Sequence, residues 1–222
     1  MPIWECVKKA GAGHARSVDD VRLAVLGDSI AYGQGAGRRA DAPGPRLAAI
    51  LGSAGYAADL RIFAAPGARS AGLAAQVTRA IGWSPDVAVI VVGANDLTRF
   101  VAPAEAAAHL ERAVRRLGDL GSAVVVAPAP DLSVVPWAPP ALRPAIRAAS
   151  NALRREQVRH ALAAGARVAD ADGGTSVAFA ADESLFAADR FHPSSAGYAV
   201  IAEALAPEVL AGVQERRSRP AV

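Results

Sequence analysis

Arg22-Leu23-Ala24-Val25-Leu26-Gly27-Asp28-Ser29 is a short apolar run stopped abruptly by three turn-forming residues. A Leu/Val-rich stretch with such an end reads as a buried strand. Outward from it, loops, helices and further strands alternate. Residues 31–44 are rich in glycine and arginine and read as loop, whereas residues 45–54 place Leu47, Ile50 and Leu51 at helical spacing before Gly55. Residues 59–64 are the second expected strand. Ser70 can cap a helix reaching Ile81, with Leu73, Val77 and Ile81 on one face. Residues 86–92 are the most strand-like, five of the seven being Val or Ile. Pro103 can start a helix through Leu110, Val114 and Leu117 to Leu120, and residues 122–127 make a fourth strand. Residues 131–144 hold four prolines and Trp137 and read as an irregular loop with that tryptophan exposed. A helix over 145–164, a short strand over 166–169 and a final helix over 194–210 complete the pattern. Strands apolar on both faces and alternating with helices imply a covered parallel sheet. The expectation is a single-domain three-layer α/β/α fold with a flavodoxin-like five-stranded sheet. Residues 21–212 form the domain, 1–20 a polar N-terminal arm and 213–222 a basic C-terminal tail.

Length and composition agree with one domain: 222 residues, 52% hydrophobic and 20% charged. The formal charge of +3 and pI near 9.5 raise the question of nucleic acid. The arginines answer it. Arg112, Arg115, Arg116, Arg143, Arg147, Arg154, Arg155 and Arg159 are spread at helical spacing among alanines, the mark of solvated helix faces. The one dense cluster, Arg216, Arg217 and Arg219, reads as a frayed solvated end. A lone Cys6 excludes an intramolecular disulfide and brings no metal-ligand set. Residues 1–20 lack an apolar run of signal-peptide length, and no uninterrupted run approaches the roughly 18 residues of a membrane span. A soluble cytoplasmic protein is expected.

In a doubly wound sheet, ligands bind beyond the carboxyl ends of the strands. Ser29, Gly67 and Asn95 lie just past the ends of expected strands one, two and three. Each is ordinary alone. Gly27-Asp28-Ser29 suits a turn, a helix cap or a phosphate-binding turn; Gly67 follows Pro66 as a turn residue; Asn95 and Asp96 suit a turn or cap. The segment 33–37 lacks the G-x-G-x-x-G spacing of a dinucleotide loop. Among the four histidines, His109 and His160 sit in charged helices and read as solvated, and His14 lies in the polar arm. His192 differs, because Phe191 and Pro193 flank it and Asp189 precedes it by three residues, within reach if the segment turns. Asp189 to Ser194 also reads as a loop into a helix capped by Ser194 or Ser195. Joint placement at strand ends favours chemistry: a serine nucleophile needs a base, and the base an orienting carboxylate.

With these residues the chain resembles the SGNH hydrolases, or GDSL esterase/lipase family, over roughly residues 22 to 210. The eponymous four appear in order as Ser29, Gly67, Asn95 and His192. Around them stand Gly27-Asp28-Ser29-Ile30, with isoleucine in place of the family's leucine, Gly93-Ala94-Asn95-Asp96, and Asp189-Arg190-Phe191-His192-Pro193. The second block departs from the family pattern, having no asparagine shortly before Gly67, and Gly72 is the alternative to Gly67. The resemblance implies that Ser29 attacks a carbonyl, His192 takes and returns the proton, and Asp189 orients His192. It gives the oxyanion hole to the backbone NH groups of Ser29 and Gly67 and the amide of Asn95. Asp28 and Asp96 brace the loops. No cofactor or metal is implied. A G-x-S-x-G elbow is absent, which separates the chain from ordinary α/β-hydrolases.

The implied activity is hydrolysis of carboxylic esters or thioesters of small to medium acyl chains through an acyl-serine. An acyltransferase acylating a sugar or other alcohol, or a carbohydrate O-deacetylase, would use the same groups. A non-catalytic binding module would have no need for the complete set. The partner is a small-molecule acyl ester or thioester rather than nucleic acid, and oligomeric state is left open. Leu97, Phe100, Val134, Val135, Trp137, Leu142, Phe179 and Phe186 are candidates for an apolar acyl groove or for satellite packing under loops. Arg38, Arg39 and Arg99 could meet an anionic or sugar-like acceptor. Arg99, Phe100, Trp137 and Phe186 are the substrate-binding set.

Overall fold

The computed structural model describes Ser17, residues 19–170 and residues 173–218. Most of the expected arm, with Cys6 and His14, and Arg219 of the tail lie outside the described residues. Five parallel strands, β1 (Asp20–Gly27), β2 (Ala57–Ile62), β3 (Val87–Val91), β4 (Ala123–Ala127) and β5 (Arg167–Val168), are ordered β2-β1-β3-β4-β5. This is the flavodoxin-like order. The chain leaves β1 towards one edge and returns to β3 on its other side, so the crevice beyond Gly27 and Val91 is the switch point. The register Gly27↔Val91 sets the two strand ends side by side.

In chain order the helices are α1 (Ser29–Tyr32), α2 (Pro43–Ser53), α3 (Leu73–Ile81), α4 (Ala94–Thr98), α5 (Pro103–Gly118), α6 (Arg143–Ala163), α7 (Gly174–Ala181) and α8 (Ser195–Ser218). A proline in the first turn of α2, α5 and α6 sets a helical φ where an NH has no intrahelical partner anyway. Strand alternation divides the core in two. Ala24, Leu26, Ala88 and Ile90 pack with Leu73 and Val77 of α3 and Leu110 and Leu117 of α5. Leu23, Val25, Val87 and Val89 pack with Leu47 and Leu51 of α2 and Leu205 and Val209 of α8. Each fully buried leucine contributes about 1.5–3 kcal/mol.

Several local readings are corrected by tertiary contacts. Ser70 does not cap α3; a 3-10 turn over Ser70–Gly72 comes first, and the Ser70 hydroxyl donates to Asp96 Oδ2 at 2.9 Å. The stretch after Ser29 is briefly helical before Gly33 ends it with φ 93. Helix α7 arises in Gly174-Thr175-Ser176-Val177-Ala178-Phe179-Ala180-Ala181, which shows no apolar stripe to announce it. The boundary at 213 falls inside α8, because Val213 is buried against the sheet and Gly212 lets the helix approach Ala123. Arg217 therefore sits on an ordered helix, 3.5 Å from Asp19 and stacked over Tyr56. Among the described residues α8 is the helix long and apolar enough to cross a membrane, and in this fold its buried stripe faces the sheet. His160 is not a solvated side chain: it bridges α6 to Glu111 on α5. Arg154 is likewise largely buried, 3.6 Å from Asp170.

Candidate active site

The site begins with two glycine turns at the sheet edge. Gly27 has φ 132, and a Cβ there would lie 1.8 Å from the Val91 carbonyl oxygen. Only glycine fits. Gly93 has φ 139, and a Cβ there would meet Ala129 Cβ at 2.6 Å. Each turn is clamped by a buried glutamine. Gln76 on α3 accepts from Gly27 N at 2.7 Å and donates to Gly27 O at 2.8 Å. Gln157 on α6 accepts from Ala129 N at 2.7 Å and donates to Val92 O at 3.1 Å. The sequence reading missed both, although the signal was there: each interrupts an apolar stripe, Leu73-Gln76-Val77-Ala80 and Leu153-Gln157-Ala161. A polar residue on a buried stripe must have partners.

Asp28 ends β1 and caps α1, its Oδ1 accepting from Ile30 N at 2.9 Å, so Ser29 is the first helical residue. Burial pushes the Asp28 carboxyl up to about 6, outweighing the NH groups of Ile30, Gly93 and Ala31, which favour its charge. Ser29 Oγ lies 3.0 Å from His192 Nε2. The other ring nitrogen, Nδ1, is 2.6 Å from Asp189 Oδ2. Asp189 Oδ1 also accepts from Phe191 N at 3.0 Å and His192 N at 2.9 Å, in a turn that Arg190 makes with φ 58. Partial burial raises the Asp189 pKa, but the His192 ring and the two backbone donors outweigh it and the net shift is downward. An ionised Asp189 accepts from Nδ1–H and leaves Nε2 as the acceptor for the Ser29 hydroxyl.

On the opposite side, Asn95 in α4 donates from Nδ2 to Ala68 O at 3.1 Å, which ties α4 to the turn carrying Gly67. The amide's second proton remains for another acceptor. Gly67 has φ 77. Gly72 does not share its position: its NH donates to Arg69 O at 2.8 Å inside the 3-10 turn. The same two loops are joined again at Asp96, which is buried and accepts from Ser70 N and Oγ. Burial raises the Asp96 pKa despite those bonds. Among the described residues no group of three or more His, Cys, Asp or Glu could hold a metal ion.

The profile of the GDSL-like lipase/acylhydrolase family matches residues 25–200, which contain every segment just described. The chain belongs to this family. A GDSL-like esterase of Mycobacterium tuberculosis (strain ATCC 25618 / H37Rv) is 37% identical over 190 residues, covering 84% of this chain. The chain spans 60% of the length of that relative. Among solved structures, that of TesA superposes with a TM-score of 0.72 at 22% identity, covering 86% of this chain and 99% of TesA. Axe2, an acetylxylan esterase from Geobacillus stearothermophilus, superposes in a catalytic mutant form with a TM-score of 0.69 at 19% identity, covering 85% of this chain and 94% of Axe2. These likenesses establish the three-layer fold.

A groove of about 440 Å³, reaching the site through Phe191 and Leu97, has an almost wholly apolar lining that also includes Phe100, Val135, Trp137 and Leu142. Phe100 and Trp137 stand at its rim, 95% and 67% exposed. Phe191 joins groove to base, its ring meeting Trp137 edge-on at 6.2 Å and His192 at 5.0 Å. Sequence reading had it only as a neighbour of His192. Two members of the expected substrate-binding set do not line this groove. Phe186 packs on Phe179 at 5.0 Å and lines an adjoining crevice of about 70 Å³, which shares Leu132, Val135 and Phe191 with the groove and also meets Ile30, Ala94 and Val134. Arg99, exposed at the end of α4, lines neither cavity. Arg38, largely exposed, pairs with Asp41 at 3.2 Å.

Proposed function

We infer that this chain is a serine esterase that hydrolyses carboxylic esters or thioesters of small to medium acyl chains. One observation carries the reading: Ser29 Oγ, His192 and Asp189 form a continuous hydrogen-bonded chain at the switch point of the sheet. As Ser29 Oγ bonds to the carbonyl carbon, its proton passes to His192 Nε2. The carbonyl oxygen becomes negative and is met by the NH groups of Ser29 and Gly67 and by the free proton of the Asn95 amide. Collapse breaks the bond to the leaving oxygen or sulfur, which departs with the proton from His192. Water then repeats the sequence on the acyl-serine, giving one proton to His192, which passes it to Ser29 as the ester bond breaks; the carboxylic acid leaves and ionises in solvent.

The apolar lining of the groove supports an acyl chain there rather than a sugar, whose hydroxyls need polar partners. The test is a fluorophosphonate label with a panel of p-nitrophenyl esters of increasing chain length. The label is expected on Ser29, with turnover favouring acyl chains long enough to enter the groove. Labelling elsewhere, or equal labelling of Ser29→Ala, would remove the nucleophile.

A further inference from the structure

The reaction needs His192 held at Ser29, yet the two residues are 163 positions apart and His192 belongs to no strand or helix. Asp189 cannot fix that distance, since it lies in the same turn and moves with the imidazole. Ser194 N donating to Leu185 O at 2.7 Å, and Ser194 Oγ donating to Ser184 O at 2.8 Å, tie the turn only to the segment before it. The ties to the nucleophile's own loop come three residues after His192.

There, two consecutive serines divide two tasks. Ser194 caps α8, its Oγ accepting from Gly197 N at 3.2 Å, which frees Ser195. Ser195 Oγ donates to Asp41 Oδ2 at 2.9 Å and accepts from Gly37 N at 3.0 Å. Its carbonyl accepts from Arg46 Nη2 at 3.0 Å, and Arg46 Nε donates to Asp41 O at 2.9 Å. One turn on, the buried Tyr198 hydroxyl donates to Gln34 O at 2.6 Å, and Gln34 N in turn donates to Ser29 O at 2.9 Å. Between these bonds the chains nearly touch: a Cβ on Gly35 would lie 2.9 Å from His192 Cβ and 2.6 Å from Pro193 O.

We propose that the Asp41–Ser195 pair, with Arg46 and Gly37, is a clasp that positions His192 against Ser29, and that Asp41 and Ser195 are positioning residues for the reaction. Neither touches the reacting atoms. They set the separation of two loops that no strand pairing joins. A displacement of about 1 Å in a reacting group costs about a hundredfold in rate.

The proposal rests on Ser29 being the nucleophile, and the experiment separates the two. Mass spectrometry first locates the fluorophosphonate on the wild-type chain; no adduct on Ser29 ends the nucleophile reading itself. With the adduct there, Ser195→Ala is expected to lower kcat about tenfold to a hundredfold at near-constant KM, and to slow Ser29 labelling by the same factor, well below its melting temperature. Ser195→Thr keeps the hydroxyl and is expected to recover most of both rates. Asp41→Ala should match Ser195→Ala, but it also strips Arg38 and Arg46 of a carboxylate, so Ser195→Ala is the deciding variant. A folded Ser195→Ala with wild-type labelling and kcat, or with a change confined to KM, overturns the clasp.

Discussion

Ser29 and Asn95 leave the sheet on turns whose backbone groups are held by buried amides, while His192 rides a surface turn held by its own carboxylate and by hydrogen bonds from the start of α8 to the loop after Ser29. On the sheet side, two glycines at positive φ and the side chains of Gln76 and Gln157 fix the strand ends to neighbouring helices. On the turn side, Asp189 is nearly half exposed, and the ties to the nucleophile loop run through Ser195 and Tyr198. The nucleophile and oxyanion donors thus inherit the stability of the core, whereas the base depends on a few surface hydrogen bonds. Damage should differ accordingly: chemistry without stability at the site residues, and stability along with chemistry at the clamps beneath them.

The largest effect is expected at the reacting hydroxyl. Ser29→Ala should lower kcat about 10⁴-fold or more and abolish fluorophosphonate labelling, with an unchanged melting temperature because the hydroxyl supports nothing but the His192 contact. Next comes Asn95→Ala, expected to lower kcat roughly a hundred- to a thousandfold with little change in KM, since the amide meets a charge present only in the transition state. Asn95→Asp should be at least as damaging. Loss of the Ala68 bond adds a stability decrease of about 1 kcal/mol, so denaturation and kinetics on the same variants separate the two roles. Wild-type kcat in a folded Asn95→Ala would leave the oxyanion to backbone donors alone.

A third expectation concerns the clamps. Gln76→Leu removes the partner of the buried Gly27 NH and one of two donors to the Gly27 carbonyl, the other being Ala65 N at 3.1 Å, and should destabilise the chain by about 1–3 kcal/mol in urea denaturation. Because the same substitution loosens the turn bearing Ser29, kcat should fall as well. Lost stability with intact turnover would show that the turn keeps its geometry from the glycine alone.

What the sequence disclosed follows the same division. Strands were legible because Leu23-Ala24-Val25-Leu26 and Val87-Ala88-Val89-Ile90-Val91 are apolar on both faces and end in glycine turns, and the positions after them were legible with them. His192 stood out by its neighbours. The Asp41–Ser195 clasp was invisible, since its members are 154 positions apart and each is a residue common on surfaces. The length of α8 was underestimated because Arg216 and Arg217 suggest solvent, whereas the spacing of Leu205, Val209 and Val213 keeps one helical face on the sheet. Phe186 and Phe191 illustrate the limit for the groove. Both are aromatic and close in sequence, and only the Phe186–Pro193 bridge and the tight turn between them send one to Phe179 and the other to Trp137.

The smallest effect tests whether the sheet side carries a penalty for its rigidity. Asp28 caps α1 with one oxygen, and burial, outweighing the NH groups of Ile30, Gly93 and Ala31, raises its pKa from 3.8 to about 6. Below pH 3.8 the carboxyl is protonated in both folded and unfolded chains and contributes no pH dependence. Between that value and about 6 the folded chain retains a proton that the unfolded chain has lost, so stability falls as pH rises through this window. Above it the full penalty applies, at most about 3 kcal/mol for a shift of about two units. Asp28→Asn keeps an oxygen for Ile30 N and cannot ionise. The stability difference, variant minus wild type, should therefore rise between pH 4 and pH 7 and level off above. Asp41 and Asp189, whose pKa values are lowered, contribute with the opposite sign, but they are common to both chains and drop out of the difference. Urea denaturation at the two pH values measures it. Parallel loss in variant and wild type would mean that Asp28 does not hold a proton in the folded chain, and that the turn beneath Ser29 is less dry than its burial implies.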